Sequence, residues 1–186
     1  MSVSMSRFKF AATAALAAGA IGGSALAQTS KPDQSFIEEA ATGGMAEVEL
    51  GRLAQQQASS DAVKQFGARM AEDHAKANDE LKQVAAAKGV SLPSAPTRSQ
   101  QTDKEHLQKL SGSQFDKQYM DHMVSDHRKD IAAFEREASS GTDSDVKSFA
   151  AKTLPTLREH LKLAVQARQA VSQTASPVKN AASASR

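Results

Sequence analysis

The feature that most constrains this sequence is a pattern of apolar residues at spacings of three and four, which occurs in four long segments. Such spacing puts the apolar side chains on one face of an α-helix, so each segment predicts an amphipathic helix. The segments run from about Asp33 to Ala58, from Ser60 to Gly89, from Ser113 to Ser139 and from Asp143 to Val171. The chain lacks segments that alternate with the period of two typical of β-strands. The sequence therefore predicts an all-α fold.

A long connection, residues 90–112, separates the second predicted helix from the third. Its residues 91–96 contain two prolines and predict a loop, whereas residues 102–110 predict a short helix. The other connections are tight, so the first two and the last two helices should form antiparallel hairpins. Each long helix spans about 40 Å at a rise of 1.5 Å per residue, and the connection can cross that length. The sequence thus predicts a ferritin-like four-helix bundle with a long crossover between helices two and three, which makes those two helices parallel.

Local signals predict where two helices start and where one bends. Ser35 with Glu38, and Ser113 with Asp116, have the spacing of capping boxes, which predicts the starts of the first and third helices. Pro155 lies within the fourth segment and predicts a kink, because proline removes a hydrogen bond and crowds the preceding turn.

The first 27 residues predict a signal peptide. Arg7 and Lys9 form a short positive region, an apolar stretch rich in Ala and Gly follows, and Ala25-Leu26-Ala27 is the small-x-small pattern that signal peptidase reads. The stretch is too weakly hydrophobic for a stable span, which needs about 20 strongly apolar residues. We therefore expect cleavage after Ala27, a location in the periplasm or outside the cell, and no transmembrane anchor after cleavage.

Charge and composition narrow the functions open to the mature chain. The sequence has 23 Lys and Arg against 21 Asp and Glu, and two of the basic residues belong to the signal peptide, which leaves 21 of each sign. A neutral chain without a basic stretch interleaved with aromatics predicts no nucleic-acid binding. Because the chain contains no cysteine, stability must come from packing, or from packing plus a metal. Residues 28–171 suit one domain, and the Ser/Ala-rich residues 172–186 predict a disordered tail.

The apolar residues of each predicted helix form a stripe along one face. Near the middle of each stripe one ionisable residue takes the place of an apolar one. These residues are Glu47, His74, His127 and His160. Their distances from the two hairpin turns differ by only about 5–8 Å, so all four are expected at one height in the bundle. One carboxylate with three imidazoles is a reasonable ligand set for a first-row transition-metal ion. Such binding is expected to weaken as the pH falls through about 6.5, the ordinary imidazole pKa. The alternative is a buried hydrogen-bonded cluster that fixes helix register and binds nothing.

Three acidic residues, Asp73, Asp126 and Glu159, directly precede the three histidines. A neighbouring position on a helix points about 100° away. We therefore expect these acids to support the histidines or to contact other helices, and not to be ligands. His106 and His122 lie outside the stripes and are expected to be solvated.

Several motifs resemble a known family. Residues 45–51, 70–74, 115–119, 123–127 and 154–161 are similar to the motifs of a bacterial exported family of unknown function, number 4142. The resemblance extends over about residues 35–170. It implies a fold of the ferritin-like superfamily and no established activity. Ferritin-like di-iron proteins carry Glu-x-x-His pairs, but here Ala71, Val124 and Leu157 lie three residues before the histidines, so a carboxylate-bridged di-iron site is not expected.

Together these features indicate an exported, soluble helical bundle of unknown activity that binds one transition-metal ion at its central Glu/His cluster. One alternative is a non-enzymatic structural or stress-related periplasmic interaction protein whose cluster only fixes helix register. A metal-dependent redox enzyme is another alternative. Cysteine nucleophiles, glycine-rich phosphate loops and serine nucleophiles in a recognisable turn are missing, so we expect no catalytic residues. The sequence does not identify a protein partner.

Overall fold

The computed structural model describes residues 29–174, and within them the chain forms five α-helices and no strand. The helices are α1 (Lys31–Gln57), α2 (Asp61–Ala87), α3 (Arg98–Leu107), α4 (Gly112–Ser140) and α5 (Ser144–Thr174). The all-α prediction is confirmed, with α3 as a short helix between the two hairpins. The predicted signal peptide and residues 175–186 of the predicted tail lie outside the described residues. α5 itself extends three residues beyond the predicted end of the domain.

Two buried aspartates show how the helices run. Asp33, near the start of α1, accepts hydrogen bonds at 3.1 and 2.9 Å from the backbone N–H groups of residues 142–143, in the turn after α4. Asp116, near the start of α4, accepts hydrogen bonds at 3.0 and 2.8 Å from the N–H groups of residues 59–60, in the turn after α1. α1 and α4 are therefore antiparallel. Since α2 folds back along α1, α2 and α4 are parallel.

The connection between α2 and α4 crosses the length of the bundle. At the end of α2, the Lys88 ammonium lies 2.8 Å from the carboxylate of Asp143, in the turn between α4 and α5. α4 begins at the other end of the bundle, where Asp116 meets the turn between α1 and α2. Along the way α3 packs against α1 and α4. The predicted crossover between two hairpins is confirmed.

The capping boxes predicted at Ser35 and Ser113 do not form. Ser30 is the N-cap of α1, and its hydroxyl accepts a hydrogen bond from the N–H of Asp33 at 3.3 Å. A proline in the first turn favours this earlier start, because it has no N–H to satisfy there. α4 starts one residue before the predicted position, without a side-chain cap. Asp116, predicted to cap α4, instead caps α2 from across the bundle.

One further local prediction differs from the structure, and another is not tested by it. The short helix begins at Arg98 instead of Thr102, because Thr97 and Gln100 form a capping box there. Pro155 lies inside α5, which continues on both sides of it, so the predicted kink at this proline stays a prediction.

The core is divided into two apolar clusters with a polar layer between them. One cluster lies toward the turn between α1 and α2 and includes Phe66, Phe115 and Tyr119. The other lies toward the turn between α4 and α5 and includes Phe36 and Phe149. Among residues 29–174, no helix is both long enough and apolar enough to cross a membrane.

α1 and α2 approach each other closely at Gly51 and Gly67. A Cβ atom added to Gly51 would lie 2.5 Å from the Gly67 carbonyl oxygen, and one added to Gly67 would lie 2.7 Å from the Gly51 carbonyl oxygen. Only glycine allows backbones to come this near. Because Gly51 is one helical turn from Glu47, this approach brings α1 and α2 together beside the polar layer.

Candidate metal centre

Three of the four predicted site residues meet in the polar layer. His74 of α2, His127 of α4 and His160 of α5 each offer one ring nitrogen, and these nitrogens lie within 4.8 Å of one another. The ring centroids are 5.4 to 5.7 Å apart. The exposed fractions of the three residues are 8%, 0% and 1%, so the cluster is buried. Three different helices thus place imidazoles around one point.

Hydrogen bonds fix the tautomers of two of these rings. Nδ1 of His127 lies 3.0 Å from the backbone carbonyl oxygen of Met123, and because a carbonyl only accepts, Nδ1 is the donor. Nε2 of His160 lies 3.0 Å from Oδ2 of Asp73 and donates to this carboxylate. In a neutral imidazole the other nitrogen then carries a lone pair. The free lone pairs are those of Nε2 in His127 and Nδ1 in His160.

Three buried ring nitrogens have no hydrogen-bond partner among the described residues: Nε2 of His74, Nε2 of His127 and Nδ1 of His160. A buried polar atom without a partner costs about 1–3 kcal/mol. Metal–nitrogen bonds of about 2.0–2.1 Å require ligand nitrogens about 3.3 Å apart. The rings would therefore have to approach one another by up to about 1.5 Å to bind an ion.

The burial of the histidines keeps them neutral. Desolvation, followed by the neighbouring imidazoles, lowers the pKa of His74 well below its ordinary value. Desolvation likewise lowers the pKa of His127 to about 4. Desolvation also lowers the pKa of His160, although the hydrogen bond to Asp73 opposes this shift. All three rings can therefore offer lone pairs at neutral pH.

Glu47 of α1 lies outside the group of three nitrogens. Its Oε1 is 3.9 Å from Nδ1 of His127, the nitrogen that already donates to the Met123 carbonyl. Both carboxyl oxygens of Glu47 are buried without a hydrogen-bond partner among the described residues. Desolvation, followed by the charges of Asp130 and Asp126, raises the pKa of Glu47 well above its ordinary value. Burial thus favours the protonated, neutral form of this carboxyl more than it would be favoured at an exposed glutamate.

Of the three acids that precede the histidines, Asp73 is the one that contacts the cluster. It accepts a hydrogen bond from His160 across the α2–α5 contact and pairs with Arg69 at 3.3 Å. Although desolvation opposes the shift, the contacts with His160 and Arg69 lower the pKa of Asp73. Asp126 and Glu159 instead pair with lysines three residues further along their own helices.

Asp130 of α4 lies beside the cluster, although its position was not predicted from the sequence. Its carboxyl group forms neither a hydrogen bond nor an ion pair with any described residue, and its side chain lines a cavity together with His74. Desolvation, followed by the charge of Asp126, raises the pKa of Asp130 to about 7. Asp130 is three residues after His127, a spacing that puts both on one face of a helix and could have identified it.

Comparisons with known proteins give one family and one fold. The model of a family described as a domain of unknown function, DUF4142, matches residues 18–167. Among solved structures, the chain is similar to the crystal structure of a DUF305 fragment from Deinococcus radiodurans, with a TM-score of 0.66 and 10% sequence identity over 78% of this chain and 98% of that chain. At this identity the similarity concerns the fold alone. No curated protein matches the chain.

Proposed function

The chain belongs to the family of the domain of unknown function DUF4142, and for it we propose the binding of one first-row transition-metal ion by His74, His127 and His160. The observation that carries this proposal is the set of three buried ring nitrogens without hydrogen-bond partners among the described residues. The three histidines come from three packed helices, and each has a ring nitrogen within 4.8 Å of a ring nitrogen of the other two. The resemblance to the ferritin-like superfamily supports the proposal, because crossover bundles of that superfamily hold metals in the core on side chains of facing helices.

The donor set determines the class of metal. Imidazole nitrogens suit zinc, copper, iron and nickel, whereas magnesium and calcium prefer oxygen ligands. Two of the rings have the supporting hydrogen bonds that metal-binding histidines usually have, His127 to a carbonyl and His160 to the Asp73 carboxylate. Glu47 is not part of the proposed ligand set, because the ring atom beside it is the Nδ1 that already donates to Met123.

Calorimetric titration of the mature protein with zinc at pH 7.5 tests the proposal. We expect one ion per chain with micromolar or tighter affinity, and we expect His74→Ala, His127→Ala and His160→Ala each to abolish binding. Asp73→Asn should weaken binding about 10- to 100-fold, because it removes the carboxylate that orients His160. His106→Ala is the matched control, since this histidine is exposed and hydrogen-bonds only Gln118. Zinc should also raise the melting temperature of the mature protein, because the ion binds only the folded bundle.

A register-fixing cluster is the alternative, and one observation favours it. The His127 ring packs edge-on against the rings of His74 and His160, and the hydrogen bond from His160 to Asp73 links α5 to α2. This alternative predicts that zinc, copper, iron, manganese and nickel all fail to bind at micromolar concentrations. In that case His160→Ala would still lower the free energy of unfolding, and the metal site would have to be abandoned.

We also propose that the protein acts outside the cytoplasm, in the periplasm or as a secreted protein. The proposal rests on the positive region, the apolar stretch and the Ala25-Leu26-Ala27 pattern. Mass spectrometry of the protein recovered from the cell envelope or the medium should give an N-terminus at Gln28. An intact Met1 terminus in that fraction would contradict cleavage.

A further inference from the structure

We propose that a cavity beside His74 is the port through which the metal ion reaches the histidines, and that Asp130 captures the cation in this port. The inference rests on the proposed metal site. The cavity has a volume of about 70 Å³ and lies among residues of α1, α2, α4 and α5. That volume is enough for a few water molecules, and hence for a partly hydrated ion.

The cavity reaches the cluster on one side only. Its lining includes His74 but neither His127 nor His160. His74 is also the histidine with measurable exposure, 8% against 0% and 1% for the other two. An ion that enters through this cavity would therefore reach His74 before it reaches His127 or His160.

The charges along the cavity favour a cation. Asp130 lines it, as does the exposed Glu39, and none of the described lining residues is a lysine or arginine. The Asp130 carboxyl group has no hydrogen bond or ion pair with the described residues, so it is free to take a ligand. Acidic groups in a narrow cleft with apolar walls concentrate cations and raise their association rates by about 10- to 1000-fold.

The width of the cavity depends on Gly44 and Asn78. Both residues line it, and a Cβ atom added to Gly44 would overlap the side-chain amide of Asn78. At Gly44 the three atoms nearest to the missing Cβ all belong to this flexible side chain, whereas at Gly51 the two nearest are backbone atoms of α2. Gly44→Ala should therefore move Asn78 and change the port, with the helices left in place.

The first experiment measures how fast cobalt(II) binds to the mature protein, by stopped-flow visible absorption at pH 8. At this pH the Asp130 carboxyl group, whose pKa is about 7, carries its charge. We expect Asp130→Asn to slow association about tenfold, because the variant lacks the negative charge that attracts the cation into the cavity. Asp121→Asn is the matched control, because it removes the same charge from α4 at an exposed position paired with Arg168. Its association rate should equal that of the unaltered protein. An unchanged rate for Asp130→Asn would overturn the role of Asp130.

The second experiment separates a port from a ligand. A narrower port slows association and dissociation by the same factor and leaves Kd unchanged, which is the result expected for Gly44→Ala. Asn78→Ala, which shortens the displaced side chain, should accelerate both steps equally. A changed Kd with an unchanged association rate in both variants would overturn the port. Failure of the unaltered protein to bind cobalt(II) would refute the metal site itself, whereas normal binding with unaffected rates in every variant would refute the port alone.

Discussion

Burial shifts the pKa values of four ionisable side chains at the centre of this bundle toward their neutral forms. Desolvation lowers the pKa of His74, His127 and His160 and raises the pKa of Glu47. These shifts favour the neutral form of each group, because a low-dielectric core disfavours charge of either sign. The pKa of Asp73, whose carboxylate contacts His160 and Arg69, is instead lowered.

The shifted pKa values move the expected pH dependence of metal binding. Protons compete with the metal for the ring nitrogens of the folded protein, so affinity falls only as the pH approaches the folded-state pKa values. All three values lie below the ordinary 6.5, and that of His127 is about 4. We expect the affinity for zinc, measured by calorimetry, to fall mainly at pH values below 6.5 and to be lost as the pH approaches about 4, where His127 becomes protonated.

The sequence alone predicts that the affinity for the metal ion falls at a higher pH, as the pH passes through about 6.5. A tenfold or greater loss of zinc affinity between pH 7 and pH 6 would thus contradict the structural account. The control is His106→Ala, which should reproduce the curve of the unaltered protein because this histidine is exposed.

At the same scale, the stripe pattern identified the three histidines but not the acids around them. A polar residue within an apolar stripe can be recognised from spacing alone. Which acid contacts which ring depends on how the helices are rotated about their axes, and this is decided by packing. Asp73 reaches His160 at 3.0 Å whereas Asp126 and Glu159 pair along their own helices, although all three precede a histidine.

At the scale of the helices, the two hairpins repeat one arrangement. Asp33 of α1 and Asp116 of α4 each cap the turn of the other hairpin, and Glu47 and Asp130 each follow their aspartate by fourteen residues. The aspartates lie 109 and 57 residues from the turns they cap. A capping box is a local pattern, so the sequence assigned Asp116 to its own helix and missed the partner across the bundle.

The close approach of α1 and α2 gives a prediction for two glycines. Gly67→Ala should lower the free energy of unfolding by about 2–3 kcal/mol, because overpacking a tight contact costs that much. Its Cβ would lie 2.7 Å from the carbonyl oxygen of Gly51 and 2.7 Å from the Cβ of Ala54. Urea unfolding of the mature protein, followed by circular dichroism, measures the change.

Gly43→Ala is the matched control on α1. A Cβ atom at Gly43 has nothing within 4 Å, so this substitution should raise the free energy of unfolding by about 0.5–1 kcal/mol, as alanine does in the interior of a helix. Equal effects of the two substitutions would show that helix propensity, and not the contact between α1 and α2, decides the stability.

At the scale of the whole molecule, the length of one connection was enough to predict the topology. A crossover that spans the bundle requires more chain than a turn, and residues 90–112 supply it. The cavity beside His74 could not be predicted in this way, because it arises where residues from α1, α2, α4 and α5 fail to fill the space between them. The separation of Glu47 from the three ring nitrogens likewise results from packing.

The claim that three imidazoles hold one ion is tested most directly by X-ray absorption at the zinc edge of the zinc-loaded mature protein. The account predicts three imidazole nitrogens at about 2.0 Å, with the multiple scattering that imidazole rings produce. The same spectrum from His106→Ala and the loss of imidazole scattering from His127→Ala would complete the assignment. A shell made only of oxygen atoms around the zinc, with no imidazole scattering, would contradict it.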